Sequence, residues 1–167
     1  MKGFILGVFF TLAIIAAGAY AYLYLGLADV RSDQPASQLE NSIISTAVHA
    51  SIRRSAPELR SPVPPTDVNL ITGGRMYVEQ CARCHGASGG EQNGDAALPL
   101  HAMATQFTES QIFWVAKHGI RWTNMPADTQ NDSDEELWAL AGYIKRTNRL
   151  PQHVKDELAK ASASAGN

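Results

Sequence analysis

Hydrophobic residues fill the start of the chain without interruption. Residues 4–27 contain no charged side chain, and as a helix they would span about 36 Å, enough to cross a hydrocarbon core of about 30 Å. Lys2 precedes this run and Asp29 follows it, while three tyrosines lie near its far end, where such rings favour the lipid headgroups. The pattern predicts a transmembrane anchor over residues 1–28 that contacts membrane lipid through residues 4–27.

A cleaved signal peptide is the alternative for the same segment. Residues 17–19 and 19–21 both resemble small-residue cleavage sites. The apolar run continues beyond them to Leu25, which is longer than an ordinary signal core and favours an uncleaved anchor. In either case the rest of the chain is exported, with Lys2 and the amino terminus kept inside.

Helical periodicity resumes in residues 29–66, which we assign to a linker. Ser37 and Glu40 have the spacing of a capping box, and apolar residues then recur every three or four positions. This pattern predicts an amphipathic helix over residues 35–56 that rests on the membrane surface or on the folded domain; a loosely helical spacer is the alternative. The proline-rich residues 61–65 predict an extended spacer and a domain boundary.

A last helix is predicted over residues 134–148, because Ser133 and Glu136 have capping-box spacing and apolar residues follow at helical intervals. No strand pattern interrupts residues 67–150, so this part is expected to be an all-α domain. A domain of about eighty residues is marginally stable unless something fills its centre. Residues 151–167 are assigned to a polar C-terminal tail.

Charge excludes one class of partner. The 167 residues carry 14 Lys+Arg against 16 Asp+Glu, a formal net charge of −2, and no run of basic residues occurs. A nucleic-acid binder needs a positive surface to neutralise phosphates, so no nucleic-acid partner is expected.

Both cysteines of the chain lie in one motif, Cys81-Ala82-Arg83-Cys84-His85. Two cysteines separated by two residues and followed by histidine are typical of c-type haem attachment. Side chains three apart on a helix share a face, so both sulfurs can reach the two vinyl groups of one porphyrin. We therefore expect one haem c, attached through Cys81 and Cys84, with His85 as an iron ligand.

Three other chemistries use paired cysteines. A thioredoxin-like redox pair belongs beside a parallel βαβ pattern, which is not visible in this sequence. A zinc site would need further ligands at matched spacing, and His101 and His118 do not supply them. A disulfide between the two cysteines would close a very small loop and stabilise little. Haem attachment is the favoured interpretation, and it agrees with an exported domain.

The order of these features resembles the class I cytochromes c with a single haem, in the membrane-anchored form found in bacteria. Residues 69–149 carry the resemblance: Gly73 and Tyr77 precede the motif, a Met-Pro pair at Met125 follows about forty residues after the haem histidine, and a final helix contains Tyr143. The resemblance implies an all-α, class I cytochrome c-type helical domain around one covalently bound haem, preceded by a transmembrane helix. We expect Gly73 to pack closely against Tyr143.

Met125 is expected to be the sixth iron ligand. A thioether favours ferrous iron and raises the reduction potential relative to a second histidine. A methionine that only fills the core is one alternative, and ligation by His118 or His101 is another.

Three further residues are expected around the haem. In the family, the second nitrogen of the haem histidine bonds a backbone carbonyl of a proline after the motif, and Pro99 resembles that proline. The haem propionates are anionic, so Arg121 and Trp122, just before the ligand loop, are expected to donate N–H bonds to them; a surface position without that role is the alternative for each.

The predicted function is electron transfer by a carrier that is not an enzyme. We expect it at the bacterial inner membrane, with the cytochrome domain on the periplasmic face and redox proteins as partners. A haem subunit bound to a membrane oxidoreductase or respiratory-chain complex would use the same chemistry. A five-coordinate, gas-binding sensor is a less favoured alternative, because it would require that Met125 not bind iron.

Overall fold

The computed structural model describes residues 1–28, 31, 37–86, 98–121, 123–128 and 132–165, with side chains up to residue 160. All regular structure in these ranges is helical, which confirms the predicted all-α class. The elements are α1 (Lys2–Tyr24), α2 (Gln38–Ser55), α3 (Asp67–Met76), a π-helical turn (Tyr77–Cys81), α4 (Ala82–His85), α5 (Leu100–Gln106), α6 (Glu109–His118), α7 (Asp134–Arg146), a 3-10 turn (Thr147–Arg149) and α8 (Gln152–Ala165).

The chain divides into two compact units, residues 1–42 and residues 43–167. The first unit contains α1, which is apolar on all sides and has no buried residue. By length and composition this helix can cross a membrane, although a signal sequence passes the same test. Helix α1 therefore fits the predicted membrane anchor.

The second unit begins inside α2, within the predicted linker. Residues 43–55 belong to the second compact unit, and Ile52 is only 2% exposed. The predicted capping box is present, since the Ser37 backbone N–H donates to Glu40 Oε2 at 2.7 Å and the Glu40 N–H donates to Ser37 Oγ at 3.3 Å. The predicted start of this helix at residue 35 lies outside the described residues.

Helices α3 and α7 form the centre of the second unit and cross at Gly73. A Cβ atom added to Gly73 would lie 2.1 Å from the Ala139 carbonyl oxygen, so only glycine fits there. The predicted partner, Tyr143, lies one turn further along α7, beside Gly74, and its ring tilts against that of Tyr77. The close crossing is confirmed, but its partner is the α7 backbone instead of Tyr143.

Helix α7 begins as predicted and ends slightly earlier. Ser133 and Glu136 form both hydrogen bonds of the capping box, and α7 gives way to the 3-10 turn after Arg146. Its residues 137–144 are all buried, and the Trp138 ring stacks on Phe113 of α6 at 4.2 Å between centroids. This helix supplies more residues to the core than any other described element.

Helix α8 replaces the polar tail predicted for residues 151–167. Val154 is fully buried and Leu158 is 8% exposed, and Leu158 lies beside Gly74 of α3. His153, at the start of α8, has its Nε2 atom 2.7 Å from Asp67 Oδ2 at the start of α3. Two apolar residues four apart were the only sequence signal for this packing.

Candidate functional site

An apolar cleft in the second unit lies beside the cysteine motif. It contains about 540 Å³ of space not filled by protein atoms, part of which is open to solvent. Its walls come from α2, the motif, α5, α6, the loop after α6, and α7. The lining residues are Ile52, Cys81, His85, Leu98, Met103, Phe107, Ile112, Val115, Ala116, Met125, Leu140 and Ile144.

The motif sits on a tight double turn, the π-helical residues 77–81 followed by α4. π-Helical turns are rare and are frequent at functional sites. The buried Tyr77 hydroxyl donates to the Gly86 carbonyl at 2.6 Å and so ties the start of this turn to its end. Burial raises the pKa of Tyr77 above its ordinary value, with smaller contributions from Cys81 and Tyr143, so the hydroxyl remains a donor.

Both cysteines are free thiols in the structure. Cys81 lines the cleft, whereas Cys84 is exposed. Burial raises the pKa of the Cys81 thiol to about 11, with the charges of Asp132 and Cys84 adding to the shift. A thiol of raised pKa is a poor redox nucleophile. Within the described residues, no group of three or more His, Cys, Asp or Glu side chains is placed to hold a metal ion.

The His85 ring is oriented by a backbone carbonyl. Its Nδ1 atom lies 2.8 Å from the Leu98 carbonyl oxygen, and because a carbonyl only accepts, Nδ1 is the donor; in the neutral ring this tautomer leaves the Nε2 lone pair free. The predicted acceptor, Pro99, is wrong by one residue. The Pro99 carbonyl instead accepts from the N–H groups of Ala102 and Met103 at the start of α5, at 2.9 and 3.0 Å.

The loop after α6 brings Met125 to the cleft. Gly119 ends α6 with φ of +65°, and a Cβ there would lie 2.5 Å from the Ala127 nitrogen. The Ile120 N–H then donates to the Met125 carbonyl at 3.0 Å. Thr123 Oγ1 donates to the Ile120 carbonyl at 2.8 Å and accepts from the Met125 N–H at 3.1 Å. Gly119 and Thr123 thus position Met125, and neither role was predicted.

The structure does not bring the other predicted site residues that it describes to the cleft wall. His101 and His118 are both exposed and neither lines the cleft, and His118 packs beside the Trp114 ring. Arg121 is exposed on the ligand loop, so its role toward propionates stays a prediction. Trp122 lies outside the described residues.

Sequence reasoning missed three side chains that line the cleft: Ile52, Met103 and Phe107. The helical spacing of apolar residues in α2 was the signal for Ile52. Met103 is a second thioether in the wall, and nothing around it in the sequence separates it from an ordinary core methionine. Phe107 ends α5 and carries no motif.

These residues fit a covalently attached haem. Two free thiols lie beside a histidine whose Nδ1 donates to a backbone carbonyl, and the facing walls are almost wholly apolar. An all-helical domain with a Cys-x-x-Cys-His motif at such a cleft defines the chain as a c-type cytochrome, a haem electron-transfer protein.

Comparison with known families agrees. Residues 69–144 match the family model described as Cytochrome C oxidase, cbb3-type, subunit III. The matched range contains both cysteines, His85 and Met125, and it ends within α7. No solved structure matches the chain. The site is therefore that of a c-type cytochrome domain, in a chain whose N-terminal apolar helix fits a membrane anchor.

Proposed function

We propose that this chain is a membrane-tethered electron carrier with one haem c, which has His85 and Met125 as axial ligands and passes single electrons between redox partners. The observation that carries the proposal is that His85 and Met125 line the same apolar cleft. Cys81 and Cys84 would hold the haem through thioether bonds. Haem c, when bound, supplies one-electron chemistry between the ferric and ferrous states.

The residues around the cleft would tune that chemistry. The Leu98 carbonyl fixes the tautomer and direction of the His85 ring. The apolar walls exclude water, and both burial and a thioether ligand favour the ferrous state and raise the potential. With Met125 bound to the haem iron, no coordination position would remain open for catalysis or for binding a gas.

The carrier would work at the periplasmic face of the bacterial inner membrane. Helix α1 would lie in lipid, with Lys2 inside and residues 43–167 outside. This orientation suits c-type haem, which is attached on the exported side. A tether of this kind raises the effective concentration of the carrier near membrane-bound donors and acceptors.

A tightly bound haem subunit of a membrane oxidoreductase is the second candidate, and the family match favours it because the family description names an oxidase subunit. The two candidates differ in one measurement. A subunit would co-purify from mild detergent with its complex in fixed stoichiometry and resist removal by salt. A free carrier would separate from its donors and acceptors under the same conditions.

Optical spectra of the purified protein test the ligation. We expect the ferric wild type to show the thioether-to-iron charge-transfer band, which Met125→Ala should abolish. Met103→Ala is the matched control, because it removes the other thioether of the cleft wall, and it should keep the band. Loss of the band in Met103→Ala alone would make Met103 the ligand. A wild type without the band that readily binds carbon monoxide when reduced would favour the sensor alternative.

A further inference from the structure

The second half of α2 packs its apolar face into the cytochrome unit. Ile52 and Ala56, four residues apart, are 2% and 9% exposed. Ile43 and Ile44, earlier on the same helix, are 58% and 45% exposed. The buried side chains are therefore confined to residues 48–56, at the C-terminal end of the helix. This is the part of α2 that lies beside the cleft.

Two side chains of this segment contact the cleft wall. Ile52 is itself one of the lining residues. The His49 ring, three residues earlier and on the same face, stacks on the Phe107 ring with centroids 5.1 Å apart and planes 11° apart. Phe107 is also a lining residue, so α2 supports the cleft directly through Ile52 and indirectly through His49.

The surface that receives His49 is held in place from α7. The Lys145 ammonium donates to the carbonyls of Ala104 and Phe107 at 2.8 and 2.7 Å. Both carbonyls lie at the C-terminal end of α5, where backbone acceptors lack helical partners and a positive charge is favourable. Phe107 is thus fixed from α7 while His49 packs on its ring.

We infer that residues 48–56, here called the α2 wall, close one side of the haem cleft and thereby set the reduction potential of the haem and its protection from external ligands. The inference rests on the proposed haem site. The family match begins at residue 69, so the α2 wall lies outside the matched range. Ile52 and His49 act as positioning residues that keep water out of the cleft.

The physical effect has a definite sign. Water admitted beside the iron stabilises the more highly charged ferric state, so opening the wall lowers the potential. It also widens the path by which a small ligand reaches the iron and competes with the methionine. Both effects are independent of the electron partners.

The test uses the full-length holoprotein in detergent and compares Ile52→Ala with Ile43→Ala. Both substitutions remove the same atoms from the same helix, but only Ile52 lines the cleft. We expect Ile52→Ala to shift the midpoint potential downward and to speed imidazole binding to the ferric protein, while Ile43→Ala matches the wild type. His49→Ala should also lower the midpoint potential and speed imidazole binding, but by smaller amounts. Ile52→Val, which removes a single methylene, gives a graded version should Ile52→Ala not fold.

A readout that does not depend on electron transfer completes the test. Hydrogen exchange of the full-length holoprotein should show the backbone amides of residues 48–56 protected, and Ile52→Ala should speed their exchange more than Ile43→Ala does. The inference is overturned if Ile52 and Ile43 variants share the wild-type potential and imidazole rate, or if residues 48–56 exchange as fast as an unfolded segment. The proposed function survives that result. A wild type that purifies without haem would overturn the proposed function and this inference together.

Discussion

The α3–α7 crossing makes Gly73→Ala the sharpest test of the fold. The new Cβ would sit 2.1 Å from the Ala139 carbonyl oxygen and 2.8 Å from the Leu140 nitrogen, whereas side-chain carbons are essentially never closer than 3.0 Å to such atoms. Both neighbours are backbone, so no side chain can rotate away to make room. The two helices must separate along their contact.

We expect this substitution to lower the free energy of unfolding by about 3 kcal/mol, the upper end of the usual cost of overpacking, because the relief must come from moving a whole helix. Chemical denaturation of the detergent-solubilised holoprotein measures it. Tryptophan fluorescence is a suitable signal, since Trp138 lies on α7 and is 4% exposed. Haem quenches this emission while the domain is folded.

Gly142→Ala is the matched control; Gly142 lies on α7, away from the backbone contact with Gly73. Its Cβ would lie 3.4 Å from a Glu109 side-chain oxygen, an ordinary contact. Alanine is the better helix former by about 1 kcal/mol, so this variant should be as stable as the wild type or more so. If Gly73→Ala stays within about 0.5 kcal/mol of the wild type, as surface substitutions do, the close crossing is refuted.

Three further predictions concern the site and its supports. Tyr77→Phe leaves the buried Gly86 carbonyl without its donor and should cost about 1–3 kcal/mol in the same unfolding assay. Gly119→Ala places a side chain at φ of +65° against the methionine loop, and ferric spectra should show the charge-transfer band weakened. The Ser133 hydrogen bonds lower the pKa of Glu136, so their contribution is present above the unfolded pKa, near 4.5, and is lost as pH falls through the lower folded pKa. The stability difference between the wild type and Glu136→Gln should therefore shrink on acidification; a difference that does not change with pH would contradict the charge argument.

Local signals in the sequence predicted the elements that local interactions determine. The apolar run fixed the extent of α1, and the pair Ser133 and Glu136 located the start of α7, because a capping box is formed by residues three apart. The cysteine motif predicted haem attachment for the same reason, because its residues are neighbours in the sequence. In each case the partners are close along the chain.

Local sequence signals did not predict the contacts between segments that are distant in the sequence. Residues 151–167 resemble a polar tail, but residues 152–165 form α8, which packs on α3 and buries Val154 and Leu158. Ile52 was recognised as part of an apolar face, but the sequence left open whether membrane or protein would cover it. The choice depends on where the rest of the unit places Phe107 and the cleft.

The one-residue error at Pro99 has a general physical cause. The backbone groups that orient His85 and hold the Met125 loop lie at helix ends, where such groups have no helical partner. Pro99 is the N-cap of α5, so its carbonyl is taken by the first turn of that helix, and the carbonyl before it is the one left to accept from His85. Met125 is held in the same way by groups that follow the end of α6. Which terminal group remains available depends on the residue at which each helix begins or ends, and that boundary is the feature that sequence patterns place least sharply.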